Sequence, residues 1–126
     1  MIYHFKQCNA VFLEANYDDE MLADGSYPYF LKKRISGGNG HLSNNAALEL
    51  FCAQRSNRLT HLILSHLSKN NNDPGLVERI FTEHAGETKV IIAGRYHETE
   101  VYHVQQASVT TGKNIYYNNV VQLSMF

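Results

Sequence analysis

The sequence predicts an α/β layered domain whose short strands are buried beneath helices, and three observations lead there. Residues 59–65 (LTHLILS) form a nearly continuous apolar run, the pattern of a strand buried on both faces. Ahead of it, Ala46 with Leu50 and Ala47 with Phe51 repeat at the four-residue spacing that puts apolar groups on one helix face. The same order recurs along the chain: AVFLEA at 10–15, a helix opening at Asp73, and VIIAG within 89–94.

Taken in order, residues 1–7 read as the end of a helix that runs directly into the strand at 10–15. That strand delivers Glu14, Asn16 and Asp18 at its carboxyl end, where polar groups converge in sheets of this kind. By composition, LEANYDDE reads equally as a site or as an exposed turn rich in Asp and Asn. A short helix at 19–23 is stopped by Gly25, and Pro28 suits the first turn of a helix with Phe30, Leu31 and Ile35 on its apolar side. Lys32, Lys33 and Arg34 make a compact basic patch on it, either a solvated face or one that holds a phosphate backbone.

GGNG at 37–40 is a flexible lead-in to His41 and lacks the GK[ST] of a phosphate loop. Ser43, Asn44 and Asn45 offer N-cap oxygens to the helix that packs on the sheet. His66 leaves the strand at its carboxyl edge, entering a loop of Ser, Lys and Asn; the position suits a metal ligand or a simple strand cap. Asp73 and Pro74 then supply the N-cap and first turn of a helix with Leu76, Val77, Ile80 and Phe81 on its buried face and Gly86 closing it. Residues 96–104 continue as a hairpin partner or an extended segment. His84, His97 and His103 match no ligand spacing and read as surface or core residues.

The 126 residues, 44% hydrophobic and 18% charged, describe one soluble domain with a real core. No apolar run approaches the roughly 18 residues of a membrane span, and the first residues carry no signal-peptide pattern, so a cytoplasmic location without membrane contact is expected. Cys8 and Cys52 lie far apart without CxxC spacing, which excludes a disulfide framework and a zinc ribbon. A net charge of −1 excludes a global basic field, so any nucleic-acid contact would be local.

LEANYDDEML, YPYFLKKRI, GHLSN and SHLSKNNN, in that order between Cys8 and Val104, resemble the C-terminal half of metallo-β-lactamase-fold hydrolases of the VicX/YycJ type and, more distantly, tRNase Z. The resemblance implies that residues 1–104 form the C-terminal half of an αββα sandwich. It implies His66 as a metal ligand, His41 as the group that protonates or stabilises the reacting phosphate, and Glu14 as the carboxylate that orients His41. Asn16, Lys32, Lys33, Arg34, Ser68 and Asn71 would contact substrate. A complete enzyme of this type would use two divalent metals, zinc or manganese, and cleave phosphodiesters in nucleic acid, with DNA in repair or replication as the expected setting. The main metal motif of such enzymes, two close histidines followed by Asp-His, has no counterpart, since neither HxH nor a DH pair occurs here. The chain alone is therefore expected to be inactive and to hold no metal stably. One face of the half-sandwich sheet would be left apolar, available for a homodimer or for a missing half.

Residues 105–121 read as a linker-like tail. The closing QLSMF at 122–126 matches the peptides with which bacterial repair and replication proteins dock on the polymerase sliding clamp. In such a peptide Leu123, Met125 and Phe126 would fill an apolar pocket while Gln122 fixes orientation by hydrogen bonds. The alternative is a last strand, YYNNVVQLSMF, added to the sheet. Two functions follow as expectations: part of a metal-dependent, nuclease-like phosphodiesterase, or a non-catalytic module that docks on the clamp.

Overall fold

The computed structural model describes residues 2–105 and the backbone of 120–123. Strands β1 (Ala10–Glu14), β2 (His61–Ser65), β3 (Lys89–Ile92) and β4 (Val120–Leu123) form one sheet in the order β3-β2-β1-β4, every neighbouring pair parallel. Helix α1 (Ile2–Phe5) precedes β1. Helices α2 (Asp19–Asp24), α3 (Tyr29–Ser36) and α4 (Asn44–Gln54) lie between β1 and β2, and α5 (Pro74–Thr82) joins β2 to β3. The chain is thus a mixed α/β fold around a small parallel sheet.

Parallel neighbours need crossover connections, and right-handed crossovers that step along a sheet in one direction place their helices on the same face. The core agrees. Val11 and Leu13 of β1, Leu62 and Leu64 of β2, and Ala47, Phe51, Val77 and Phe81 of the two long helices form one buried cluster, with Val90 and Ile92 packed against it. Phe51 and Phe81 meet with ring centroids 6.1 Å apart. Each side chain buried to this degree contributes about 1.5–3 kcal/mol of transfer free energy.

The helix boundaries follow local chemistry. Ser43 Oγ accepts the Ala46 N–H at the start of α4, and Asp73 does the same for Gly75 at α5, whose first residue is Pro74. Asp18 caps α2 by accepting from Met21. Pro28 stands one position earlier than expected, as the cap of α3, and α5 ends at Thr82, ahead of Gly86, which carries the positive φ of 58° in the turn to β3. β2 starts two residues later than the apolar run does, because Thr60 turns both its N–H and its hydroxyl onto the Asn9 carbonyl.

On the far side of the sheet one open choice is decided and one expectation is narrowed. Among the described residues, 96–104 form no strand and make no hairpin. The segment instead returns over the second face: Tyr102 packs against His61, Lys89 lies over the Tyr102 ring, and the Gln105 carbonyl accepts from Asn9. Ile63 and Ile91 are buried on that face, so it is not left wholly bare. At the other edge, Val120 and Val121, expected in a linker, and Gln122 and Leu123, expected in a docking peptide, pair with Ala10, Val11, Phe12 and Leu13 as β4. The strand alternative for the tail is thus the arrangement found at Val120–Leu123; Met125 and Phe126 lie outside the described residues.

Candidate active site

All four strands run the same way, so their carboxyl ends share one edge, and the loops leaving that edge build the site. Glu14 is the last residue of β1, His66 follows β2 immediately, and His41 arrives on the loop ahead of α4. The His41 loop is pinned twice. The His41 N–H donates to the Ile35 carbonyl at 2.8 Å, and the Leu42 carbonyl accepts from Asn16 at 2.9 Å. Gly40 is required there, because a Cβ at this position would collide with the backbone carbonyls of Ile35 and Arg34.

Glu14 is 1% exposed, and its carboxylate is fully engaged. Oε1 accepts from Nδ1 of His41 and from Nδ1 of His66, each at 2.7 Å, while Oε2 accepts the Leu42 N–H at 3.1 Å. A carboxylate has only lone pairs to offer, so both rings present N–H at Nδ1 and act chemically through Nε2. The two imidazoles meet edge to face with centroids 5.2 Å apart. The resemblance implied Glu14 as the partner of His41; its Oε1 lies at the same 2.7 Å from Nδ1 of His66.

His66 has a φ of +63°, the left-handed region that non-glycine residues enter at some cost. Asn16 supplies the support, its buried amide donating to the His66 carbonyl at 2.6 Å. Beneath the site Asn44 and Asn72 form a reciprocal amide pair at 2.8 and 2.9 Å, and Asn72 also donates to the Ala15 carbonyl and accepts from the Asp73 N–H. Both polar atoms of the Asn72 side chain are thereby satisfied in a buried place. Beside it, burial holds the Tyr17 hydroxyl above its ordinary value of 10, with Asp19 adding to the rise, a Ser43 hydrogen bond opposing it and Glu14 adding a little.

The structure sorts the expected site residues into three groups. Glu14, His41 and His66 come together, with one ligand atom from each lying within 4.8 Å of the others. Asn16, Ser68 and Asn71 surround them as supports: Ser68 Oγ accepts from the Asn71 N–H, and the Asn71 carbonyl accepts from Asp18. The basic patch stands apart. Lys32 donates to the Ala23 carbonyl, Lys33 lies over the Tyr29 ring, and both line a separate hollow between α2 and α3, with Arg34 exposed next to them. Asp18 of the acidic cluster is a helix cap and Asp19 accepts from Asn45, so neither joins the centre.

Sequence reasoning passed over a cavity of about 580 Å³ next to His66, between the loops that follow β2 and β3. Lys69, Arg95 and Tyr96 line it. The available signal was positional: Gly94-Arg95-Tyr96 leaves β3 at the same edge from which His66 leaves β2.

The fold and centre define an α/β protein with a histidine–carboxylate site at the carboxyl edge of a parallel sheet. Over about half its length this chain is similar to hydrolases of the YycJ type, as the sequence motifs implied. It is 47% identical over 60 residues to the exodeoxyribonuclease WalJ of Streptococcus pneumoniae serotype 2 (strain D39), a match that spans 48% of this chain and 22% of that protein. It is 39% identical over 67 residues to the exodeoxyribonuclease YycJ of Bacillus anthracis, spanning 53% of this chain and 25% of that protein. The matches therefore cover a quarter or less of these relatives' own lengths. No protein-family profile matches the chain, and no solved structure matches it significantly.

Imidazole and carboxylate are suitable donors for a divalent ion, and the geometry tests how far they go toward a site. Glu14 is occupied by two ring N–H groups, so its place is behind the histidines. The fit is thus to part of a site: His66 offers one imidazole, and a four-coordinate ion would need further ligands. Among the described residues, no helix is long and apolar enough to cross a membrane.

Proposed function

We propose that this chain is the C-terminal portion of a metal-dependent phosphodiesterase of the metallo-β-lactamase fold, acting on DNA. The observation that carries the reading is the single buried carboxylate, Glu14, holding Nδ1 of both His41 and His66. The similarity to proteins named exodeoxyribonucleases supports the substrate class.

Each residue has a separate task. Glu14 fixes the rotation and tautomer of both rings, so neither has to reorganise during the reaction. His41 acts in its doubly protonated form, with Nδ1–H on Glu14: its Nε2 gives a proton to the oxygen leaving phosphorus as the attacking water's oxygen bonds to phosphorus, or donates a hydrogen bond to a non-bridging oxygen as charge builds there. His66 would be this chain's ligand to a divalent metal, zinc or manganese, and a pair of such ions supplies an activated water and charge against the phosphate. Asn16 keeps His66 in place through its carbonyl. The remaining ligands would come from outside this chain, so the chain alone is expected to be inactive, and the reading places it in repair or replication in the cytoplasm.

The test is a chimera in which residues 8–104 replace the corresponding segment of the Streptococcus pneumoniae relative, assayed on end-labelled DNA with manganese. The chimera should degrade the DNA, and His66→Ala or His41→Ala should lower its rate by at least about a hundredfold. A chimera that works equally well with either substitution would refute the assignment. So would metal-dependent hydrolysis by this chain alone that His66→Ala abolishes, because it would mean a complete site.

The tail bears on a second reading, docking on a sliding clamp through Gln122, Leu123, Met125 and Phe126. Pairing of Gln122 and Leu123 with β1 competes with that role, since the same backbone cannot serve both. Deleting 122–126 separates the two: lowered stability with unchanged clamp capture supports the strand, and lost capture at unchanged stability supports docking.

A further inference from the structure

We infer that the cavity beside His66 is a binding site for one unpaired nucleotide of a DNA strand, with Tyr96 stacking on the base and Lys69 and Arg95 holding its phosphate. The inference rests on the phosphodiesterase reading and adds the form of the substrate: a single-stranded end.

Four features support it. The cavity's volume, about 580 Å³, falls within the range of roughly 300–1,000 Å³ usual for small-ligand sites. His66 itself lines it, so a nucleotide held there lies beside a residue of the proposed centre. Its lining combines apolar residues, Ile92 and Pro74, with two cations, Lys69 and Arg95, in a chain whose net charge is −1. Lastly, Tyr96 is 73% exposed, a large aromatic side chain at the rim with its ring accessible to a partner.

This combination suits one ligand class. An aromatic face with nearby cations is how proteins hold single-stranded nucleic acid, because every base has a π-face and every link a phosphate. A duplex fits poorly, since its bases are stacked on each other and cannot reach Tyr96 without unpairing. Arg95 also joins the two loops: one of its N–H groups donates to the Leu67 carbonyl at 3.2 Å, next to His66. A guanidinium has five N–H donors, so this anchor sets its position and leaves capacity for a phosphate.

The experiment measures binding, separately from hydrolysis, by fluorescence anisotropy of a labelled short oligothymidylate on the full chain without added metal. The wild type should bind it more tightly than a blunt duplex of equal length. Tyr96→Ala should weaken binding about tenfold, and Tyr96→Phe should restore it, because stacking needs the ring and not the hydroxyl. Arg95→Ala and Lys69→Ala should each lower the dependence of log affinity on log salt by roughly 0.7, the share of one phosphate on a single strand. That slope change would not arise from a general loosening of the fold. Absence of binding by the wild type, equal binding by wild type and Tyr96→Ala, or preference for the duplex would each overturn the inference. The chimera above distinguishes the two readings: binding that depends on Tyr96 in a chimera indifferent to His66→Ala keeps the pocket and sinks the catalytic assignment. Hydrolysis that depends on His66 but not on Tyr96, with equal binding, does the reverse.

Discussion

Replacing Glu14 with Gln puts the centre's hydrogen bonding to a direct test, because the two side chains have the same shape and different donors. The native carboxylate accepts three N–H groups, two at Oε1 from the imidazoles and one at Oε2 from Leu42, in a place 1% exposed. An amide has one oxygen and one NH2, so Glu14→Gln must choose. With its oxygen toward the rings, its NH2 faces the Leu42 N–H and leaves a buried donor unpaired, at a cost of about 1–3 kcal/mol. For a domain of this size that corresponds to a fall in Tm of roughly 3–15 °C. With the amide reversed, Leu42 keeps its bond, but both rings must offer a lone pair at Nδ1 and move their protons to Nε2. Stability is then largely kept and the chemistry lost. Thermal unfolding together with long-range nitrogen-15 spectra of the ring nitrogens reads both outcomes. An unchanged Tm with both rings still protonated at Nδ1 would refute the bridging role of Glu14.

Three further outcomes are expected. Gly40→Ala should lower stability by about 1–3 kcal/mol and shift the His41 resonances, since its methyl must push the loop away from the Ile35 and Arg34 carbonyls; an unperturbed His41 would contradict this. Asn16→Ala should cost about 1 kcal/mol and broaden the signals of residues 66–68, because the amide that holds the His66 carbonyl is gone. Burial first, and Lys89 second, lower the His61 pKa from 6.5, so near that pH the folded chain binds fewer protons than the unfolded one. Stability carried by this residue should therefore fall as pH drops below about 6.5, and His61→Gln should flatten that part of the curve in denaturant titrations from pH 5 to 8.

The elements were legible because their signals are local. The apolar run at 59–65, the spacing of Ala47 and Phe51, and Asp73-Pro74 each encode one strand or helix, and each element starts within two residues of where it was expected. The centre was legible in part. The motifs brought Glu14, His41 and His66 to notice, but nothing local says that residues 27 and 52 positions away from Glu14 share a single oxygen of it. The burial of the asparagines was not legible: an exposed Asn and one buried under a neighbouring carbonyl have the same letter, and only the fold makes Asn71 and Asn16 inward-facing. Arg95 and Tyr96 were passed over because their meaning comes from the loop after β2, which lies beside them in space and far off in sequence.

The left-handed backbone at His66 limits which side chains evolution could try there. Branching at Cβ is disfavoured at such a φ, while Gly, Asn, Asp and His tolerate it best. Of these, His and Asp ligate metals well, one through nitrogen and the other through oxygen. Under the proposed role of His66 as a ligand, a single exchange for Asp would respect the turn and replace a donor suited to zinc by one suited to manganese or magnesium. The bend in the chain would thereby confine metal preference at this position to a two-way choice.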